Sequence, residues 1–244
     1  MPADGLLSAG RVVAAVYSDA TLAAASTLPP APAAPDWLEL RVDGFHDRPE
    51  ALDALVARAP RPFVVTVRHP AEGGAAGAPA GAGTRAELYG RFLAGDGVAA
   101  VDVEVRSLRA LAGVVRAAKE AGSLVVASFH NFVGVPTTGV LREKARRAAD
   151  AGADVFKVAA TVRRPGELAR LLDFMEWGRE QRQTLAVMGM GPLGRVSRLA
   201  LAAAGSALNY GYLGDGGPQV PGQWPAATLR ERIGEVRDEE RGQR

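Results

Sequence analysis

Asp154-Val155-Phe156-Lys157-Val158-Ala159-Ala160 is a short apolar run interrupted by one lysine, and it reads as a buried β-strand. On either side, residues 141–151 and 167–179 repeat apolar side chains at helical spacing. The same alternation runs outward in both directions. Further strand-like runs cover residues 12–16, 37–42, 62–68, 98–105, 124–130, 184–190 and 207–213. Helical spacing recurs over 48–58 through Leu52, Leu55 and Val56, over 107–121 through Leu108, Leu111, Val114 and Val115, and over 196–204. Apolar strands alternating with amphipathic helices imply repeated βαβ units and a parallel sheet. Eight such units in 244 residues match the size of a single (β/α)₈ TIM barrel, an α/β fold. A doubly wound open sheet is the competing architecture.

No linker divides the chain, so one barrel domain is expected over residues 1–244. The Ala/Gly/Pro-rich stretch 73–83 reads as a flexible loop after the third strand. The Pro/Ala-rich stretch 27–35 reads as extended, polyproline-like chain, and 230–244 as an outer helix that frays.

Apolar content of 48% and charged content of 23% suit a water-soluble globular core. The formal charge is +2 and the basic residues are dispersed, so no nucleic-acid partner is expected. Cysteine is absent, which excludes disulfides and thiolate metal sites. No run of about 18 apolar residues is free of charges or breakers, so no membrane span is expected. The N-terminus lacks the basic start and apolar core of a signal peptide, so a cytoplasmic location is expected.

Of the 29 Lys and Arg residues only Lys119, Lys144 and Lys157 are lysines. The first two lie in polar, helix-like stretches where either cation serves. Lys157 lies inside the apolar strand. An unpaired buried ammonium costs several kcal/mol, so such a lysine tends to lose its proton. The neutral amine is a nucleophile that forms Schiff bases with carbonyl substrates, chemistry closed to a guanidinium. The alternative is a lysine that snorkels from the strand end or pairs with a carboxylate.

Other reactive side chains sit at neighbouring strand ends. Glu39, Arg41 and Asp43 alternate at the end of strand two, Arg68 closes strand three, Asp102 and Glu104 alternate in strand four, and Ser128 and His130 close strand five. In a barrel, alternate residues face inward and the C-terminal strand ends face the active site. A salt-bridge network closing the barrel top is the alternative role for Asp43, Asp102 and Glu104. His130, beside the lysine strand, is placed to shuttle protons or to be a satisfied core histidine. His46 reads as a loop residue and His69 as packing. The turn Gly189-Met190-Gly191-Pro192-Leu193-Gly194, followed by Arg195 and Arg198, offers backbone amides and guanidinium groups to an anion, or is simply a tight strand-to-helix turn.

Seven segments in order carry a family resemblance: Glu39-Leu40-Arg41-Val42-Asp43, Thr66-Val67-Arg68 with Glu72-Gly73-Gly74, Asp102-Val103-Glu104, Ser128-Phe129-His130-Asn131-Phe132, Phe156-Lys157-Val158-Ala159, Val196-Ser197-Arg198-Leu199-Ala200 and Pro221-Gly222-Gln223. The chain resembles the type I 3-dehydroquinate dehydratases of the shikimate pathway, which serve aromatic amino-acid biosynthesis. The resemblance implies a (β/α)₈ barrel, a homodimer, and no metal or organic cofactor. It implies 3-dehydroquinate as the small-molecule substrate, and 3-dehydroshikimate and water as products. Lys157 matches the imine-forming lysine, His130 the general acid and base, and Glu72 the carboxylate orienting that histidine. Glu39, Arg41 and Arg68 match residues that bind ring hydroxyls. Arg198, rather than Arg195, and Gln223 match the groups holding the substrate carboxylate. Gln219 stands at a substrate-binding position where the family often has Ser or Thr, and Val135 where Thr commonly precedes the proline. Two other readings remain open: a lysine-imine aldolase barrel acting on a sugar phosphate, and a non-catalytic barrel.

Overall fold

The computed structural model describes residues 10–242 apart from 30–34, 59, 96 and 216, and backbone alone over 238–242. Among these residues eight strands alternate with eight α-helices. The strands are β1 (Arg11–Val16), β2 (Trp37–Arg41), β3 (Phe63–Thr66), β4 (Val98–Glu104), β5 (Leu124–Asn131), β6 (Val155–Thr161), β7 (Leu185–Met190) and β8 (Leu208–Gly211). The helices are α1 (Asp19–Ser26), α2 (Asp53–Arg58), α3 (Ala82–Leu93), α4 (Ala112–Glu120), α5 (Thr138–Asp150), α6 (Pro165–Glu180), α7 (Gly194–Ala203) and α8 (Ala226–Gly242).

The strands form one sheet in the order β7-β6-β5-β4-β3-β2-β1-β8. Every pairing is parallel, and β8 returns to pair with β1, which curls the sheet into a barrel. The open doubly wound alternative is therefore excluded. The remaining seam, between β7 and β8, is bridged by a side chain. Ser206 Oγ accepts from Val187 N at 3.0 Å and lies 3.2 Å from the Val187 carbonyl. Beside it, Ala207 N donates to Leu185 O at 2.9 Å. A hydroxyl thus stands in for strand ladder bonds at the closure.

Alternation sorts the strand residues into two apolar layers. Outward residues such as Leu38, Leu40, Val65, Val101, Val103 and Val158 pack against the helices. Inward residues Val13, Trp37, Val64, Ala100, Val126, Val155, Ala186 and Leu208 fill the lower barrel. Towards the C-terminal strand ends the inward positions become polar: Glu39, Thr66, Asp102, Glu104, Ser128 and Lys157 are all buried. The apolar floor excludes water, so these groups must satisfy one another.

The sequence pattern misses α1 and α3. Helix α1 is Asp-Ala-Thr-Leu-Ala-Ala-Ala-Ser, too rich in alanine to show an apolar stripe, and it is secured by a capping box between Ser18 and Thr21. Helix α3 begins inside the stretch expected to be loop, and its buried face is Arg85, Tyr89 and Phe92, where the arginine breaks the apolar pattern. Residues 70–72 of the connection before it form a 3₁₀ turn. The outer C-terminal helix begins earlier than expected, at Ala226. Part of the expected polyproline-like stretch, residues 30–34, lies outside the described residues.

Ser206→Ala would leave the buried Val187 N–H without its partner. An unsatisfied buried donor costs about 1–3 kcal/mol. Thermal unfolding should therefore show a melting temperature lower by several degrees, with the barrel retained by circular dichroism.

Candidate active site

The upper barrel is built on matched charges. Lys157, 3% exposed, projects from β6 with Nζ 2.6 Å from Asp102 Oδ2 and 3.5 Å from Glu39 Oε1. The Asp102 contact is an ion pair rather than a directed hydrogen bond. Lys157 is thus paired with carboxylates, one of the readings that the apolar strand left open. The aromatic face of Tyr210 covers it, 4.2 Å from Nζ to the ring centroid.

Asp102 shares its other oxygen between Arg68 Nη1 at 2.9 Å and Ser128 Oγ at 2.5 Å. Burial opposes ionisation of Asp102, but Arg68 and Lys157 overcome it and hold the carboxyl below the usual carboxylate range. Burial likewise opposes the Arg68 charge, and Asp102, Glu104 and Glu39 reverse that, pushing Arg68 well above its ordinary value. Thr66 Oγ1 donates to Glu39 at 2.9 Å. Arg85, from α3, donates to Glu104 at 2.5 Å, and Glu104 also receives the His69 backbone amide at 2.7 Å. Arg41 grips Asp43 through two hydrogen bonds of 2.8 and 2.7 Å, and Asp43 lies just past β2 in a 3₁₀ turn. Asp43 and Glu104 thus belong to the network closing the barrel top.

Glu72 and His130 form a second unit. Glu72 Oε2 accepts from the His130 backbone amide at 3.0 Å and lies 3.2 Å from Nδ1. That contact turns Nε2 of the ring away from Glu72. Burial, reinforced by the charges of Arg68 and Lys157, lowers His130 well below the usual histidine value. Burial raises Glu72 to about 7, against the pull of the His130 amide and Arg68. At neutral pH the imidazole is therefore an uncharged base, and its carboxylate neighbour titrates in the same range.

Arg198 differs from the other buried cations. It projects from α7, is 3% exposed, and donates to the carbonyls of Tyr210 at 2.6 Å and Gly222 at 3.1 Å. No carboxylate pairs with it among the described residues, and burial lowers it to about 10. Two glycines permit this arrangement. A Cβ on Gly194 would lie 2.6 Å from Gly222 Cα, and Gly222 has φ +90. The turn entering α7 and the loop before Gln223 therefore interlock closely. Arg195 instead stacks on Trp224, 5.0 Å from its ring, outside the cavity.

Glu39, Arg41, Arg68, Glu72, His130, Lys157, Arg198, Gln219 and Gln223 all line one cavity of about 80 Å³ at the C-terminal end of the barrel. The structure thus brings every anticipated site residue together. It adds Phe132, Ala159, Met188, Met190 and Tyr210 to the wall. The alternation of Leu208 and Tyr210 in β8 points Tyr210 inward, and the same rule applied to strand seven finds Met188 and Met190. His46 bonds the Asp43 carbonyl at 2.8 Å and His69 accepts the Ala71 amide at 3.0 Å, both as local structure. A larger groove of about 680 Å³ lies outside the barrel between α4 and α5. Its arginines, Arg106, Arg109, Arg116 and Arg147, are exposed, and it contains none of the strand-end groups.

The Glu72 shift has a consequence for stability. Folded Glu72 keeps its proton to higher pH than the unfolded chain does, so stability falls as pH rises from the usual glutamate range to about 7. Glu72→Gln removes that dependence. Its melting temperature relative to the parent protein should rise between pH 5 and pH 8; a difference independent of pH would contradict the raised value.

The chain is similar to known proteins in sequence and in fold. Residues 13–237 match the sequence profile of the Type I 3-dehydroquinase family. The 3-dehydroquinate dehydratase of Haloarcula marismortui is 36% identical over 210 residues, spanning 84% of this chain and 89% of that protein. That of Halobacterium salinarum is 34% identical over 225 residues, spanning 88% and 97%. The crystal structure of the Geobacillus kaustophilus 3-dehydroquinate dehydratase superposes with a TM-score of 0.81 at 26% identity, covering 94% of this chain and 91% of that one. With the profile spanning the whole barrel, the chain belongs to the type I 3-dehydroquinase family.

Proposed function

We propose that the chain is a 3-dehydroquinate dehydratase working through a Lys157 imine. The observation that carries this reading is the meeting, in one cavity, of the buried lysine, the uncharged histidine base and a buried arginine without a carboxylate partner. Arg198 presents a guanidinium fork to the ring carboxylate, and Gln223 and Gln219 line the same end. In this reading the C3 ketone faces Lys157.

The Lys157 amine attacks the ketone carbon and the carbonyl oxygen takes up a proton, giving a carbinolamine. The C–O bond then breaks, water leaves, and an iminium remains. Its positive nitrogen draws electrons from the adjacent C–H. His130 removes the C2 proton, with Glu72 orienting the ring. The resulting enamine expels the C1 hydroxyl, which leaves as water with the proton returned by His130. Hydrolysis of the product imine restores Lys157, so the net change is loss of one water. Asp102 and Glu39 stay beside the nitrogen throughout and favour its positive forms. No step draws on a metal or organic cofactor. The family resemblance extends the proposal to a homodimer.

Incubation with 3-dehydroquinate and borohydride should give a stable mass adduct that peptide mapping places on Lys157. Lys157→Met should give no adduct and no turnover while keeping the barrel. A Lys157→Met protein with full dehydratase activity would sink the mechanism. His130→Ala should still bind ligand but lose about 10²–10⁴-fold in kcat, the range of general acid–base catalysis. A loss under tenfold would remove His130 from that role.

A further inference from the structure

Tyr210 stands on the inward face of β8 and is 5% exposed. Each part of it meets the candidate site differently. Its backbone carbonyl accepts from Arg198 Nη1 at 2.6 Å. Its ring lies against Lys157 Nζ at 4.2 Å. Its hydroxyl is buried and makes no hydrogen bond among the described residues. The neighbouring hydroxyls are not left so: Thr66 bonds Glu39, and Ser128 bonds Asp102. Buried polar groups are normally paired, and a phenylalanine would fill the same space with no donor to satisfy. The chain therefore carries, beside Lys157, a donor left unused among the described residues.

We propose that Tyr210 is a further substrate-contacting residue, whose hydroxyl donates a hydrogen bond to an oxygen of the hydroxylated six-membered ring held at Lys157. The inference rests on the 3-dehydroquinate reading above. The ring face on Nζ and the hydroxyl belong to one rigid side chain, so the donor lies within one side-chain length of the carbon that joins the lysine. Substrate oxygens next to that carbon are its nearest new acceptors. Burial and the charges of Glu39 and Asp102 push the phenol well above its usual range, so it remains O–H and acts as a donor rather than a base. No proton is transferred. The contact adds specificity for a hydroxylated ring over a plain one, because a ligand lacking the oxygen leaves the buried donor unpaired.

Tyr210→Phe keeps the ring and removes only the hydroxyl. Its melting temperature should equal or exceed that of the parent protein. Its kcat/KM for 3-dehydroquinate should fall about tenfold, the value of one neutral hydrogen bond. Quinate, a hydroxylated ring that cannot form an imine, should bind the variant about tenfold more weakly. Cyclohexanecarboxylate, with no ring hydroxyl, should bind both proteins alike. The proposal is overturned by kcat/KM and quinate affinity both within twofold of the parent, or by equal losses for quinate and cyclohexanecarboxylate, which would assign the tyrosine to packing. Borohydride trapping of the parent protein separates the two readings. A parent protein without an adduct overturns the imine mechanism, whereas an adduct with an unchanged Phe variant sinks the Tyr210 contact alone.

Discussion

The pairing of Asp102 with both Arg68 and Lys157 is the constraint on which the upper barrel depends. A lone ionised group in a dry interior costs several kcal/mol, and charges there persist only when matched and hydrogen-bonded. Asp102 is fully buried, yet Arg68 and Lys157 flank it at 2.9 and 2.6 Å. From that centre the matching propagates sideways. Arg68 also faces Glu104 and Glu39, Glu104 faces Arg85, and Arg41 faces Asp43. Four cations and four carboxylates thus neutralise one another around the strand ends. A network so bound holds Lys157 Nζ at one point, which is the pre-organisation that bond formation at a ketone requires.

Arg198 stands outside that balance. Its partners are backbone carbonyls, which accept hydrogen bonds but carry no compensating charge. A buried guanidinium in this condition favours any ligand that brings a carboxylate, because the ligand supplies the missing charge along with two aligned acceptors. Charge matching at one end of the cavity and charge excess at the other give the site a direction. The amine end is electrically complete, and the guanidinium end is left with an unmatched charge among the described residues. Between them, burial moves the Glu72 carboxyl up to about 7 and the His130 imidazole well below its usual value, which reverses their ordinary order.

The floor of the barrel makes this electrostatics possible. Trp37, Val64, Val126 and Leu208 close the lower interior and keep water from the charges above. Low dielectric strengthens every pairing, and also every penalty for an unpaired group. The transition from apolar to polar along each inward face therefore marks where the scaffold ends and chemistry begins.

Much of this was readable without coordinates. Eight apolar strand-like runs with helical stretches between most of them point to repeated βα units, because apolar side chains must face either the barrel interior or the helix layer. Alternation also assigns Glu39, Arg41 and Asp43, and Asp102 with Glu104, to common inward faces, and the ordered motifs single out Glu72, His130, Lys157, Arg198 and Gln223. Helix α3 is not legible, since its buried Arg85 is tolerated only through Glu104, Ser107 and the Val67 carbonyl, partners supplied by other elements. The pairing of Lys157 with Asp102 is likewise a contact between non-adjacent strands, β6 and β4. The lack of a partner, among the described residues, for the Tyr210 hydroxyl and for the Arg198 charge is a property of the assembled cavity. Periodicity decides which way a side chain points, because that depends on local backbone geometry. Only the closed barrel decides what it meets there, because burial and charge pairing are set by residues far apart in the chain.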